Sequence, residues 1–178
     1  MAGTQLPGAD MERFVREALA FVGFAESDTA LVRRTAPLVL AREAEITTAL
    51  YEHFLAIPAT RRFFVDANGA PDLPRLERRK HSLARWLRET AEVAINQEFS
   101  YYLLAVGLSH SHRAQGPGGT IPARFMVGAM SLAQTTLARI FMAELPAADA
   151  LEASMAWNKL LLVHLSALLL GYLPREHR

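Results

Sequence analysis

The sequence contains no cysteine, which excludes disulfides, thiolate zinc sites, cysteine-ligated iron–sulfur clusters and thiolate-ligated haem. Any metal site must therefore use histidine, carboxylate or tyrosine ligands. An excess of charge of either sign is also absent, because 19 Lys and Arg stand against 18 Asp and Glu, for a formal charge of +1. The composition gives no electrostatic basis for nucleic-acid binding, and we expect no nucleic-acid partner.

Long hydrophobic segments and targeting signals are absent as well. The longest apolar run, Leu160–Leu173, has 14 residues and contains His164, which is too short to span a bilayer and favours a buried helix or a subunit contact. The first eleven residues are polar, with Pro7 and Gly8, and show no charged-then-apolar signal pattern. We therefore expect a cytoplasmic protein with no membrane association.

The pattern of apolar residues predicts an all-α fold. No segment alternates with period two, and no repeat of the length used by solenoid proteins occurs. The 178 residues suit one domain, with residues 1–10 as a flexible segment. Helical spacing and breaker residues predict a corner at Ile57–Pro74 and helices at 11–22, 28–57 with a kink or break at Pro37, 73–93, 97–113, 121–143 and 148–173.

One helical face carries a histidine among apolar residues. Leu103, Val106, Gly107 and His110 are spaced i, i+3, i+4 and i+7, so the imidazole points where the leucine points. An imidazole in an apolar cavity suits iron held in a planar macrocycle, and Gly107 would leave room for a flat group nearby. A histidine in this position is more often a core residue, and a second alternative is His112, which points about 200° away around the helix.

Two other features carry polar chemistry. Tyr51 is predicted to point inward from the second half of the 28–57 region, where its hydroxyl needs a partner. The helix from Leu73 has a basic edge, for which a solvated face is the default and a site for two carboxylates is the alternative. The edge consists of Arg75, Arg78, Arg79, Lys80, His81, Arg85 and Arg88.

Several motifs in order make the chain similar to the protoglobins, the single-domain relatives of the haem domain in globin-coupled sensors. They are Leu50-Tyr51, Phe63-Phe64, Asn68-Gly69-Ala70-Pro71, Arg85-Trp86-Leu87, Gly107-Leu108-Ser109-His110 and Ala156-Trp157. The resemblance extends from about Phe24 to Tyr172. It implies a three-over-three globin fold with an added N-terminal helix, which residues 11–22 can supply.

The resemblance implies a role for each matching position. His110 would be the proximal iron ligand of haem b, and Tyr51 would be the distal hydroxyl near a bound gas. Leu50, Leu83 and Ala129 stand where the family often has aromatic residues, which implies a roomier pocket. Other residues expected at the haem are Phe64, Val106, Gly107 and Arg79.

The charged residues and the remaining histidines are expected to lie around the haem or to be structural. Arg79 lies one turn before Leu83, where an apolar residue is expected, and we expect its guanidinium to reach water or a propionate rather than the pocket. Lys80, His81 or Arg85 would pair with the propionates. The remaining histidines we interpret as structural: His53, His164 and His177.

The resemblance implies reversible binding of O₂, CO or NO, as a gas sensor or gas-binding globin. The alternative is a haem enzyme on the same site, with NO dioxygenase, peroxidase-like or nitrite reductase activity, or promiscuous carbene transfer. A haem-free helical bundle is the third possibility. A sensor would need a separate signalling partner. The apolar last two helices predict a homodimer, with Leu161 and Leu168 at its contact.

Overall fold

The computed structural model of the protein describes residues 10–173, so the segment 1–9 and His177 lie outside the described residues. Within this range the regular structure is helical, and a single bridge between Val65 and Pro71 is the only strand-like pairing. The all-α prediction is confirmed. The helices are α1 Met11–Phe21, α2 Glu26–Leu40, α3 Glu43–Ala56, α4 Pro58–Arg61, α5 Leu73–Ala91, α6 Gln97–His112, α7 Ala123–Glu144 and α8 Ala147–Leu170.

Side-chain caps fix the starts of the helices that matter for the site. The Asp72 carboxylate accepts a hydrogen bond from the Arg75 amide at the start of α5, and the Asn96 side chain does the same for the Phe99 amide at the start of α6. Each cap satisfies a backbone N–H that has no partner inside its helix. The corner before α5 holds Phe63 and Phe64, which are buried, and contains the short helix α4.

The predicted break at Pro37 is wrong in its position. Pro37 lies inside α2, and the chain turns only after Leu40. Proline removes one helical hydrogen bond, but Val32 and Val39 on either side of it are fully buried in the core. Their packing holds the helix together across the proline.

Helix α8 is the centre of the core and packs against α7, α6, α2 and α1. The Trp157 indole N–H donates to Thr35 Oγ1 at 2.8 Å, which ties α8 to α2. His164 is buried between the rings of Trp86 and Phe99. This position agrees with the structural role predicted for it.

The prediction for Gly107 needs correction. A Cβ on Gly107 would meet the backbone carbonyl oxygen of Leu168, and a Cβ on Gly171 would meet the backbone of Gly107 and Leu108. Gly107 therefore lets α6 approach α8 closely. It does not leave room for a flat cofactor.

The outer faces of α7 and α8 are partly apolar. By length and composition alone both helices could cross a membrane, but 56% of the most apolar window of α8 is buried inside the fold, as in the core helix of a globular protein. Leu161 and Leu168 are buried in the core, so the prediction that they form a dimer contact is wrong. The large apolar side chains exposed on these helices are Val127, Met142, Leu151, Met155 and Leu162.

Candidate functional site

A cavity of about 540 Å³ lies between α3, α5, α6 and α7, closed at one end by the corner after α3. This volume is within the range of small-molecule and cofactor sites. Most of its lining is aliphatic or aromatic. The lining contains no Asp or Glu, and its polar or titratable members are Tyr51, His53, Thr60, Arg79, Ser82, Trp86, Tyr102, His110 and Ser131.

His110 points into this cavity together with Leu103 and Val106 of the same α6 face. Its Nε2 lies 3.4 Å from Arg79 Nη1. Because a guanidinium can only donate, Nε2 must accept, and the proton of the neutral ring is on Nδ1. Burial, and then the Arg79 charge, lower the pKa of His110 to about 4. The ring is therefore neutral at pH 7, with a lone pair directed into the cavity.

His112, the alternative ligand, does not reach the cavity. Its side chain is exposed, and Nδ1 lies 2.6 Å from Ser111 Oγ at the end of α6. The two histidines differ in position by two residues on one helix, which places them on different sides of it. Only His110 of these two lines the cavity.

Tyr51 lines the cavity from α3 and is held by aromatic neighbours. Its ring makes edge contacts with Phe54 and Phe64, at centroid distances of 5.6 and 5.5 Å. Within residues 10–173 its hydroxyl has no hydrogen-bond partner at all, which leaves the hydroxyl available to a bound group. Burial raises the pKa of Tyr51 above its usual value, so at neutral pH the hydroxyl is a donor.

The other predicted site residues divide into two groups. Gly107 is not part of the lining, for the reason given above. The remaining ones all line the cavity: Leu50, Phe64, Leu83, Val106, Ala129 and Arg79.

Arg79 occupies a place that the sequence interpretation did not favour. Its half-buried side chain is part of the cavity lining, and Nη2 donates to Gln115 Oε1 while Nη1 donates to His110. Burial lowers the pKa of Arg79 from its usual value, but a guanidinium keeps its proton in proteins. The cavity therefore contains a fixed positive charge.

Gln115 was missed by the sequence interpretation. It is buried in the irregular loop after α6, where its side-chain amide donates to the carbonyl oxygens of Ser109 and Arg113, each at 3.1 Å. No periodicity marks a loop residue of this kind. Ser82, one turn from Arg79 on α5, could have been found from helical spacing; its Oγ lies 2.6 Å from Tyr102 Oη, and both residues line the cavity.

The residues favoured for propionate pairing do not line the cavity. Lys80 pairs with Glu77, and His81 lies 3.1 Å from the Glu77 carbonyl oxygen. Arg85 pairs with Glu98 at 2.8 Å and lies over the Tyr102 ring. Their contacts agree with the solvated-face interpretation, which was the default for this edge, and their pairing with propionates stays a prediction. His53, by contrast, does reach the cavity lining from an exposed position.

The comparison with protein families shows to which family the chain belongs. A family model described as Protoglobin matches residues 11–178. The chain belongs to the protoglobin family. Its structure is similar to the globin domain of the Geobacter sulfurreducens globin-coupled sensor, with a TM-score of 0.72 and 19% sequence identity over 88% of this chain and 96% of that domain. No curated protein sequence matches the chain.

The predicted globin fold is thereby confirmed, and membership of a globin family implies that the protein binds haem. The donor set of this protoglobin fits such a group. His110 presents an unprotonated nitrogen to an apolar cavity, which is the form in which histidine ligates haem iron. Buried His110 Nδ1 and Trp86 Nε1 have no hydrogen-bond partner among the described residues. Within the described range no three His, Asp or Glu side chains form a group able to hold a bare metal ion.

Proposed function

We propose that the protein is a b-type haem protein that binds O₂, CO or NO reversibly, with His110 as the proximal ligand and Tyr51 on the opposite side. The observation that carries the proposal is the Nε2 lone pair of a neutral histidine directed into a large apolar cavity. Haem iron held by one histidine has a further position at which a diatomic gas binds.

The residues around the cavity would then select among ligands. Apolar side chains keep water out, which strengthens any hydrogen bond made inside. The unpartnered Tyr51 hydroxyl can donate a hydrogen bond to a polar ligand such as O₂, and it stabilises bound CO very little. Leu50, Leu83 and Ala129, in place of larger aromatic residues, leave room for ligands bigger than diatomics.

A second candidate is a haem-dependent oxidoreductase on the same site. The observation in its favour is Arg79, whose guanidinium extends into the cavity lined by Tyr51. A positive charge and a hydroxyl in one apolar site can stabilise charge that develops on a reacting ligand. The same arrangement would serve peroxidase-like, NO dioxygenase or nitrite reductase chemistry, and the roomy pocket would serve carbene transfer.

We infer in addition a cytoplasmic homodimer. The exposed apolar side chains of α7 and α8 lie on the outer face of a packed helix pair, and two such pairs can form a four-helix contact. A sensor of this kind would signal through a separate partner protein.

The test of the proposed function is the absorption spectrum of the purified protein after haem is added. We expect an intense band at the violet edge of the visible range that shifts on CO binding to the reduced protein. His110→Gly should lose stable haem and regain it with added imidazole, whereas His112→Gly should keep the wild-type spectrum. No band in the wild-type protein, or loss of haem in His112→Gly alone, would refute the proposal.

A further inference from the structure

Arg79 places a positive charge in the lining of the cavity, directly beside His110. Its Nη1 lies 3.4 Å from Nε2 of His110, the nitrogen to which iron would bond under the proposed function. The side chain begins on α5 and reaches the imidazole on α6. It is therefore long enough to reach a group that would be held at His110 Nε2.

This charge has no negative partner within the described residues. The groups that accept from it, His110 Nε2 and Gln115 Oε1, are both neutral. The nearby hydroxyl of Tyr51 is also neutral, because burial raises its pKa. No carboxylate lines the cavity.

The carboxylates on α5 and at its N-cap are engaged elsewhere. Asp72 pairs with Arg75, Glu77 with Lys80, and Glu89 with Arg85. Two further arginines of the same helix, Arg75 and Arg78, lie close enough to act against the charge on Arg79. A half-buried cation with neutral partners and like-charged neighbours favours any anion that can enter beside it.

We propose that Arg79 makes the sixth-ligand side of haem in this cavity a binding site for small monovalent anions. This inference rests on the proposed function, because it requires haem on His110. Iron held at Nε2 would displace the guanidinium from that nitrogen, while the Arg79 side chain would stay attached to α5 beside the bound group. There it can donate to an anion on the iron, with the Tyr51 hydroxyl as a second donor from α3.

The fitting ligands are small, carry one negative charge and expose a hydrogen-bond acceptor. Azide, fluoride and nitrite have these properties. A charge-assisted hydrogen bond inside an apolar site strengthens binding by about ten- to hundredfold. A neutral ligand of the ferric iron, such as imidazole, gains nothing from the charge.

The test measures dissociation constants of azide and fluoride for the ferric haem-loaded protein, by absorption titration, with imidazole as the neutral comparison. In Arg79→Met we expect the azide and fluoride constants to rise about tenfold or more, while the imidazole constant stays the same or falls. Arg79→Lys keeps the charge and should give intermediate anion affinity. Arg88→Met, which removes an exposed arginine of the same helix that lies outside the cavity lining and is not among the groups acting on Arg79, should match the wild type.

A second measurement distinguishes two roles of Arg79: binding an added anion, and pairing with the propionates of haem, which are also anionic. Haem loss to an excess acceptor globin is timed for wild type and Arg79→Met, each loaded with haem or with haem dimethyl ester. If Arg79→Met speeds loss of haem but not of the ester, and leaves azide affinity unchanged, Arg79 pairs with a propionate and the proposal is wrong. The proposal is also wrong if Arg79→Met binds azide as tightly as the wild type does and loses haem at the same rate. Failure of the wild type to take up haem would instead refute the proposed function, which the absorption spectrum shows directly.

Discussion

A Cβ atom placed on Gly107 would overlap the backbone carbonyl oxygen of Leu168. No side chain fits there, and backbone cannot move aside as the end of a flexible side chain does. The close approach of α6 and α8 therefore depends on glycine, and it sets the position of the helix that carries His110.

Gly107→Ala should destabilise the protein, because it pushes α6 away from the central helix of the core. We expect a loss of about 3 kcal/mol or more in the free energy of unfolding, measured by urea denaturation of the haem-loaded protein. Gly128→Ala is the matched control, since a Cβ on Gly128 meets no protein atom within 4 Å; because Gly128 lines the cavity, both variants are also compared without haem. It should stabilise α7 by about 0.5–1 kcal/mol. Equal stability of the two variants would contradict the contact.

These glycines show where sequence interpretation reaches its limit. Helical spacing correctly placed Leu103, Val106 and His110 on one face, because side-chain direction in a helix follows from local geometry. It could not say whether Gly107 faces a cofactor or another helix. That depends on α8, whose sequence lies some sixty positions away. The boundary after Leu40 was missed for a similar reason, since distant packing holds α2 together across Pro37.

The polar part of the site was harder to predict than the apolar part. Apolar lining residues follow from periodicity, and Leu50, Leu83 and Ala129 do reach the cavity. A long arginine on an amphipathic helix can turn to water or inward, and local sequence does not decide between these. Arg79 turns towards His110 and Gln115, and Gln115, in a loop without periodicity, supplies an acceptor for its guanidinium.

The proposed dimer surface is testable with the outer side chains of α8. Leu151→Glu combined with Leu162→Glu places charge on two exposed positions of the helix, and should convert a dimer into a monomer in analytical ultracentrifugation without loss of helical content. Leu73→Glu, at an exposed apolar position on α5, is the control and should remain dimeric. A wild-type protein that sediments as a monomer at micromolar concentration would end the dimer proposal.

Tyr51→Phe tests the donor role of the unpartnered hydroxyl. Loss of one hydrogen bond to O₂ should speed O₂ release by about five- to thirtyfold and leave CO release nearly unchanged, as measured by stopped-flow ligand replacement. Tyr101→Phe removes a hydroxyl from an exposed residue of α6 outside the cavity lining, and it should behave like the wild type. Unchanged O₂ release in Tyr51→Phe would place the hydroxyl away from the bound gas.

Ala129→Phe tests whether the small residues in the lining admit larger ligands. A phenyl group from α7 would fill part of the cavity, so imidazole should bind the ferric iron about tenfold more weakly than in the wild type. Ala143→Phe adds the same ring at an exposed position of α7 and should not change the affinity. If both variants bind imidazole as the wild type does, Ala129 lies away from the sixth ligand.

The last prediction concerns the pH dependence of stability and arises from His164. Its ring is buried between Trp86 and Phe99, with Thr90 Oγ1 3.5 Å from Nδ1, and burial lowers its pKa to about 3. In the unfolded chain the same group takes up a proton near pH 6.5. Between these two values the unfolded state binds one proton more than the folded state, so this histidine makes stability fall as the pH falls.

The contribution of the neutral His164 ring to the free energy of unfolding is thus fully present above pH 6.5 and is lost as the pH falls towards 3. Relative to His164→Gln, the free energy of unfolding of the wild type should decrease by about 1.4 kcal/mol per pH unit between pH 6 and 4. Urea denaturation of both haem-loaded proteins at several pH values measures this difference, and effects of all other groups cancel in it. Parallel pH curves for the two proteins would mean that the folded state takes up the proton on His164 as readily as the unfolded chain does.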